Sequence, residues 1–148
     1  MIDDATCIPE LRITLPARSD SLALLRHVAR GFRDAYAIAT DRMDDIVLAL
    51  SEAATNAALH AYGRRPGTIT VFARVDGATL RILVRDHGIG IAPEDRAPIP
   101  GYGLSLMAHV SESMEIVGSP AGTDVLMTFP LATRSGADDA ELGDLDAT

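Results

Sequence analysis

Lysine and tryptophan are both absent from the 148 residues, and cysteine occurs once, as Cys7. Each gap excludes something. With a single thiol, neither an intramolecular disulfide nor a cysteine-built zinc site can form, as expected of an intracellular protein. Without lysine all 13 basic residues are arginines, so any side-chain cation that meets a phosphate must be a guanidinium. No apolar run approaches the ~20 residues needed to cross a bilayer, and the first residues lack signal-peptide character. A soluble, cytoplasmic protein with no membrane partner is expected. The net charge of −8 argues against nucleic acid, whose affinity depends on neutralising phosphates.

The negative charge is unevenly placed. Asp138, Asp139, Glu141, Asp144 and Asp146 lie within residues 135–148, a stretch without a base and short of apolar groups. Such a composition buries too little surface to offset ordering, which predicts a disordered acidic tail. The remainder, residues 1–134, is long enough for one domain with its own core, and the 47% hydrophobic content agrees.

Residues 11–15 alternate and end at Pro16, the pattern of an edge strand. Ser19 or Asp20 can cap a helix running to about Ala37, with Leu22, Leu25, Val28, Ala29 and Phe32 on its apolar face. A second helix is predicted from near Asp41 to Tyr62-Gly63. Residues 67–75 and 79–86 form a hairpin around Asp76-Gly77, a strong turn signal. A helix over 101–111 and strands over 114–117 and 123–131 follow. With helices early and adjoining strands later, the order favours an α+β two-layer sandwich with a mostly antiparallel sheet and helices on one face.

Three motifs carry chemistry. Glu52 and Asn56 stand four residues apart in Leu50-Ser51-Glu52-Ala53-Ala54-Thr55-Asn56-Ala57, one helical turn, so both point the same way. A carboxylate can take a proton from a nucleophile, and an amide oxygen can ligate a hard cation such as Mg²⁺. Alone, such a pair more often marks a solvated helix face, here one that would include His60. Next, a strand runs straight into Asp86-His87-Gly88-Ile89-Gly90. Last, Gly101-Tyr102-Gly103-Leu104 opens a periodic stretch, and the free amides of a helix start favour phosphate.

In this order, and with Gly122-Thr123 before the last strand, the motifs resemble the ATP-binding boxes shared by gyrase, heat-shock chaperones, histidine kinases and mismatch-repair ATPases. Within that superfamily the chain looks most like the anti-sigma-factor serine kinases, over roughly residues 11–131. The resemblance implies ATP and Mg²⁺ as cofactors, a sigma factor and an anti-anti-sigma (STAS-domain) protein as partners, and a homodimer. It implies Glu52 as general base, Asn56 as Mg²⁺ ligand and Asp86 as acceptor for the adenine amine. Gly88 and Gly90 would give the base room, with Thr123 supporting Asp86. Residues 91–100 would form a short lid, with Arg96 reaching the γ-phosphate. Gly101, Gly103 and Leu104 would line the phosphate path. Tyr102 departs from the arginine often found there in the family. The expected activity is phosphorylation of the anti-anti-sigma protein on serine. An ATP-binding regulatory module without turnover, or a detached sensor-kinase-type ATPase domain, would use the same boxes.

Overall fold

The computed structural model describes residues 11–61, 66–88 and 102–131, without the side chains at 60, 61 and 102–104. In chain order the elements are β1 (Leu11–Pro16), α1 (Ser19–Tyr36), α2 (Thr40–Asn56), a π-helical turn (Ala57–Ala61), β2 (Thr68–Asp76), β3 (Thr79–Asp86), α3 (Tyr102–Val110), β4 (Ser113–Ser119) and β5 (Gly122–Pro130). The five strands form one sheet in the order β1-β2-β3-β5-β4, and every neighbouring pair is antiparallel. The helices lie on one side of it. The expected α+β two-layer architecture is what the chain adopts.

Alternation along the strands decides which residues meet the helices. Ile69, Val71 and Ala73 of β2, Leu80, Ile82 and Val84 of β3, and Met127 and Phe129 of β5 share one core with Leu25 and Ala29 of α1. From α2 the core takes Met43, Ile46, Ala49, Leu50, Ala53 and Ala54, and from α3 Met107. The register stacks these positions across strands, with Val71 opposite Val84, Ile82 opposite Met127, and Leu80 opposite Phe129. Each fully buried aliphatic or aromatic side chain contributes about 2 kcal/mol of hydrophobic stabilisation before conformational entropy is set against it. Small residues at 49, 53 and 54 let α2 approach its neighbours closely. Asp86 follows Leu80, Ile82 and Val84 in this alternation, so it lies on the same face, at the last position of the central strand.

Local details depart from the sequence expectations. Neither Ser19 nor Asp20 caps α1: the N-cap is Arg18, in extended conformation and without a side-chain cap bond. The first turn is tied down differently, by the Ser21 hydroxyl donating to the Pro16 carbonyl at 2.7 Å. At its other end α1 stops with Ala37 in the left-handed region (φ 52) and the Ile38 N–H on the Arg33 carbonyl, a Schellman-type close. The β2–β3 turn is centred on Gly77-Ala78, since Asp76 and Thr79 pair directly. Gly77 has φ +61 and Ala78 has no positive φ, the pattern of a type II′ hairpin with glycine first. The predicted uninterrupted helix to Tyr62-Gly63 gives way after Asn56 to the π-helical turn, where hydrogen bonds skip one residue further than in an α-helix.

Candidate functional site

The site is anchored where β3 and β5 end together. Asp86 is directly opposite Thr123, and one carboxylate oxygen, Oδ1, accepts from the Gly88 N–H at 3.0 Å and the Thr123 N–H at 3.3 Å. Thus the structure brings together three expected residues, two of them 37 positions apart in sequence. Among the described residues Oδ2 makes no hydrogen bond. Asp86 is 8% exposed, and burial pushes its carboxyl above the usual value. The Gly88 and Thr123 amides and nearby His87 pull it down, while Asp124 adds a smaller upward push. An oriented carboxylate with a spare acceptor oxygen suits a ligand amine, and repels a ligand carbonyl placed there.

The backbone around Asp86 is packed without slack. A β-carbon on residue 122 would lie 2.0 Å from the Asp86 carbonyl oxygen and 2.9 Å from the His87 α-carbon, and Gly122 has φ +140. Glycine is therefore required at 122 on two independent grounds.

Glu52 and Asn56 both lie on α2, half-buried, with Asn56 its last residue. Ala53 and Ala54 between them face the core, which leaves the two polar side chains on a different side of the helix. Among the described residues neither side chain is engaged in a hydrogen bond or ion pair. The neighbouring Ser51 is occupied: its hydroxyl donates to the Val47 carbonyl at 2.7 Å and accepts from Arg26 Nε at 3.2 Å. Asn56 stands at the junction with the π-helical turn, a feature that recurs at functional sites. The stripe Glu52-Asn56-His60 assumed one continuous α-helix, and the turn takes His60 out of that spacing.

Gly103 and Leu104 fall in the first turn of α3, after Tyr102. Gly90, Arg96, Gly101 and the lid over 91–100 lie outside the described residues. So does the acidic tail.

Sequence reasoning missed a pair directly behind Asp86. Arg85 and Asp124, the next residues along β3 and β5, point to the opposite face of the sheet and form a two-bond ion pair. Arg85 Nε donates to Asp124 Oδ1 at 2.8 Å, and a terminal guanidinium nitrogen to Oδ2 at 3.1 Å. Their side chains are 9% and 5% exposed. Alternation along β3 turns Arg85 away from the helices, but only the register reveals its partner.

The family of histidine kinase-like ATPase domains matches residues 15–129. A serine-protein kinase RsbW from Bacillus mycoides is 28% identical over 134 residues, covering 80% of this chain and 83% of that protein. An anti-sigma F factor from Clostridium acetobutylicum is 26% identical over 130 residues, covering 80% and 91%. Among solved structures, the RsbU and RsbW domains of a Mycobacterium tuberculosis protein superpose with a TM-score of 0.69 at 26% identity. That match covers 85% of this chain and 33% of the other. A blue-light activated histidine kinase domain from Erythrobacter litoralis shares the fold, with a TM-score of 0.58 at 22% identity.

Proposed function

The chain belongs to the family of histidine kinase-like ATPase domains, and from that premise we propose that it is an ATP-dependent anti-sigma factor serine/threonine kinase. It binds a sigma factor and phosphorylates an anti-anti-sigma, STAS-domain protein on serine. Relatives named as a serine-protein kinase and an anti-sigma factor, each aligned over most of its own length, support this reading. The observation that carries it is Asp86: a buried carboxylate, fixed by two amides through one oxygen, while the other makes no hydrogen bond among the described residues.

In this mechanism Asp86 accepts from the exocyclic amine of adenine and rejects guanine, which presents a carbonyl there. Thr123 and Gly88 hold the carboxylate in that orientation. Gly90 leaves the base room, and Gly101, Gly103 and Leu104 line the phosphate path, with Arg96 on the γ-phosphate. Glu52 takes the proton of the attacking serine hydroxyl as its oxygen bonds to the γ-phosphorus. The bond to the bridging oxygen breaks, and ADP leaves with that electron pair. Transfer of this kind depends mainly on positioning and charge neutralisation.

Asn56 fits a Mg²⁺ ligand in one respect the structure shows: its amide is half-buried at a helix end and uncommitted among the described residues. Bound there, Mg²⁺ would take the Asn56 amide oxygen as a protein ligand and would supply neutralisation of phosphate charge. The protein works in the cytoplasm as a homodimer.

The test is incubation with Mg-ATP and anti-anti-sigma candidates from neighbouring genes, read by phosphoserine detection. Transfer that falls by about 10²–10⁴-fold in Glu52→Gln is expected. Tight ATP binding with no transfer to any of them would replace the kinase by a binding module.

A further inference from the structure

We propose that Arg85 and Asp124 are positioning residues for base recognition, a clamp on the back of the sheet that holds the Thr123 amide on the Asp86 carboxylate. The inference rests on the reading of Asp86 as the adenine acceptor and adds two residues to it.

The geometry sets one pair against the other. Asp86 and Thr123 are cross-strand partners, and Arg85 and Asp124 are the partners one step back. Because side chains alternate along a strand, the first pair faces the helices and the second faces away. Anything that fixes Arg85 against Asp124 therefore fixes the two backbones that carry Asp86 and Thr123, without touching a ligand on the other face. A one-residue slip of β5 would turn Thr123 to the wrong side, so the register at this end decides whether the carboxylate is held at all.

The clamp is tightly made. Its two hydrogen bonds run in parallel, the fork-to-carboxylate arrangement that is both strong and directional. The Arg85 guanidinium also lies 5.3 Å from the centre of the Phe72 ring, and Arg12 covers the same ring from a like distance. On β2, Arg85 has Thr70 as its cross-strand partner, and the Thr70 and Thr14 hydroxyls are hydrogen-bonded at 2.9 Å. Arg85 is thus fixed from β2 and from β5 together. Buried ion pairs recover little net stability after desolvation, and their best-attested service is to specify register. That is what this end of the sheet needs: past Asp86 the hydrogen-bond ladder stops, and the Thr123 contact at 3.3 Å is longer than the Gly88 one.

The test compares full-length parent protein, Asp124→Asn, and Phe129→Leu as a control that softens the core at the far end of the same two strands. Two quantities are read, hydrogen exchange at the Thr123 amide without nucleotide, and the ratio of ATP to GTP affinity by calorimetry. Asp124→Asn is expected to speed Thr123 exchange about tenfold relative to the control and to narrow the ATP preference by a similar factor, the worth of one well-placed hydrogen bond. Thr123 protection and nucleotide preference both matching the control would overturn the proposal. A parent protein without ATP preference would defeat the adenine reading of Asp86, while Thr123 exchange would still decide whether the clamp orients the carboxylate.

Discussion

Gly122 and Asp86 touch through their backbones, so closely that a β-carbon at 122 would stand 2.0 Å from the Asp86 carbonyl oxygen. Gly122→Ala must push β5 away from β3 and must also hold alanine at φ +140. A loss of about 2–4 kcal/mol is expected in urea unfolding, with ATP affinity falling as the Thr123 contact opens. A loss below about 0.5 kcal/mol, the range of ordinary surface substitutions, would mean that the strand ends yield freely.

Glu52 and Asn56 separate chemistry from binding. Glu52→Gln is expected to leave Mg-ATP affinity close to parental while serine phosphorylation falls by about 10²–10⁴-fold, the range for losing a general base. Asn56→Ala should act earlier, weakening nucleotide binding only when Mg²⁺ is present. Titrations with and without the metal, run beside phosphotransfer assays, tell the two apart. Parental transfer rates in Glu52→Gln would remove it from the base role.

Function at Asp86 is held at the expense of stability. Its carboxyl is raised above 3.8, chiefly by burial, so the folded state holds the proton more tightly than the unfolded chain. The sign follows: stability is higher at low pH and declines as pH rises through the folded value, because the buried group must then carry charge. Asp86→Asn keeps the shape and an oxygen acceptor for the Gly88 and Thr123 amides. It should raise the melting temperature at pH 7 by an amount on the order of a few degrees, with the gain fading as pH falls toward 3.8. ATP affinity should drop in the same variant. Thermal scans across pH that show no gain at neutrality would contradict the cost of burial.

In α1, glycine and alanine each occupy the other's better place. Gly31 is exposed in mid-helix, and a β-carbon there would meet nothing within 4 Å. Ala37 adopts φ 52 at the helix end, where glycine is at ease. Gly31→Ala and Ala37→Gly should each stabilise by about 0.5–1 kcal/mol, and their separation makes the sum additive. Denaturant midpoints of the single and double variants check this.

Most of the scaffold was legible because two periodicities carried it. Strand alternation found residues 11–15, the strand over 79–86 delivered Asp86 to its end, and helical spacing placed Leu25 and Ala29 inside. Glu52, Asn56, Asp86, Gly88 and Thr123 were found from local motifs, and of these the structure joins Asp86, Gly88 and Thr123 by hydrogen bonds. What stayed hidden depended on distant pairing or on one-residue geometry. Arg85 and Asp124 lie 39 positions apart, and nothing near either names the other. The alanines at 57 and 58 fit an α-helix as well as a π-turn, so composition gave no warning. Ser19 and Asp20 looked like caps because cap residues are recognised by type, whereas the bend at residues 17–18 and the Ser21 hydroxyl on the Pro16 carbonyl set where the helix begins.

The π-helical turn spends one residue more per hydrogen-bonded ring than the helix it continues, so it can be regarded as an insertion that the chain absorbed without breaking. Removing Ala57 or Ala58 would let the ladder close at ordinary spacing with little change of direction, because the widened turn already takes up the extra residue. Asn56 stands at that seam. The alanine run therefore tolerates a change of length at this seam: a related chain one residue shorter there would keep the same asparagine and follow it with ordinary helix.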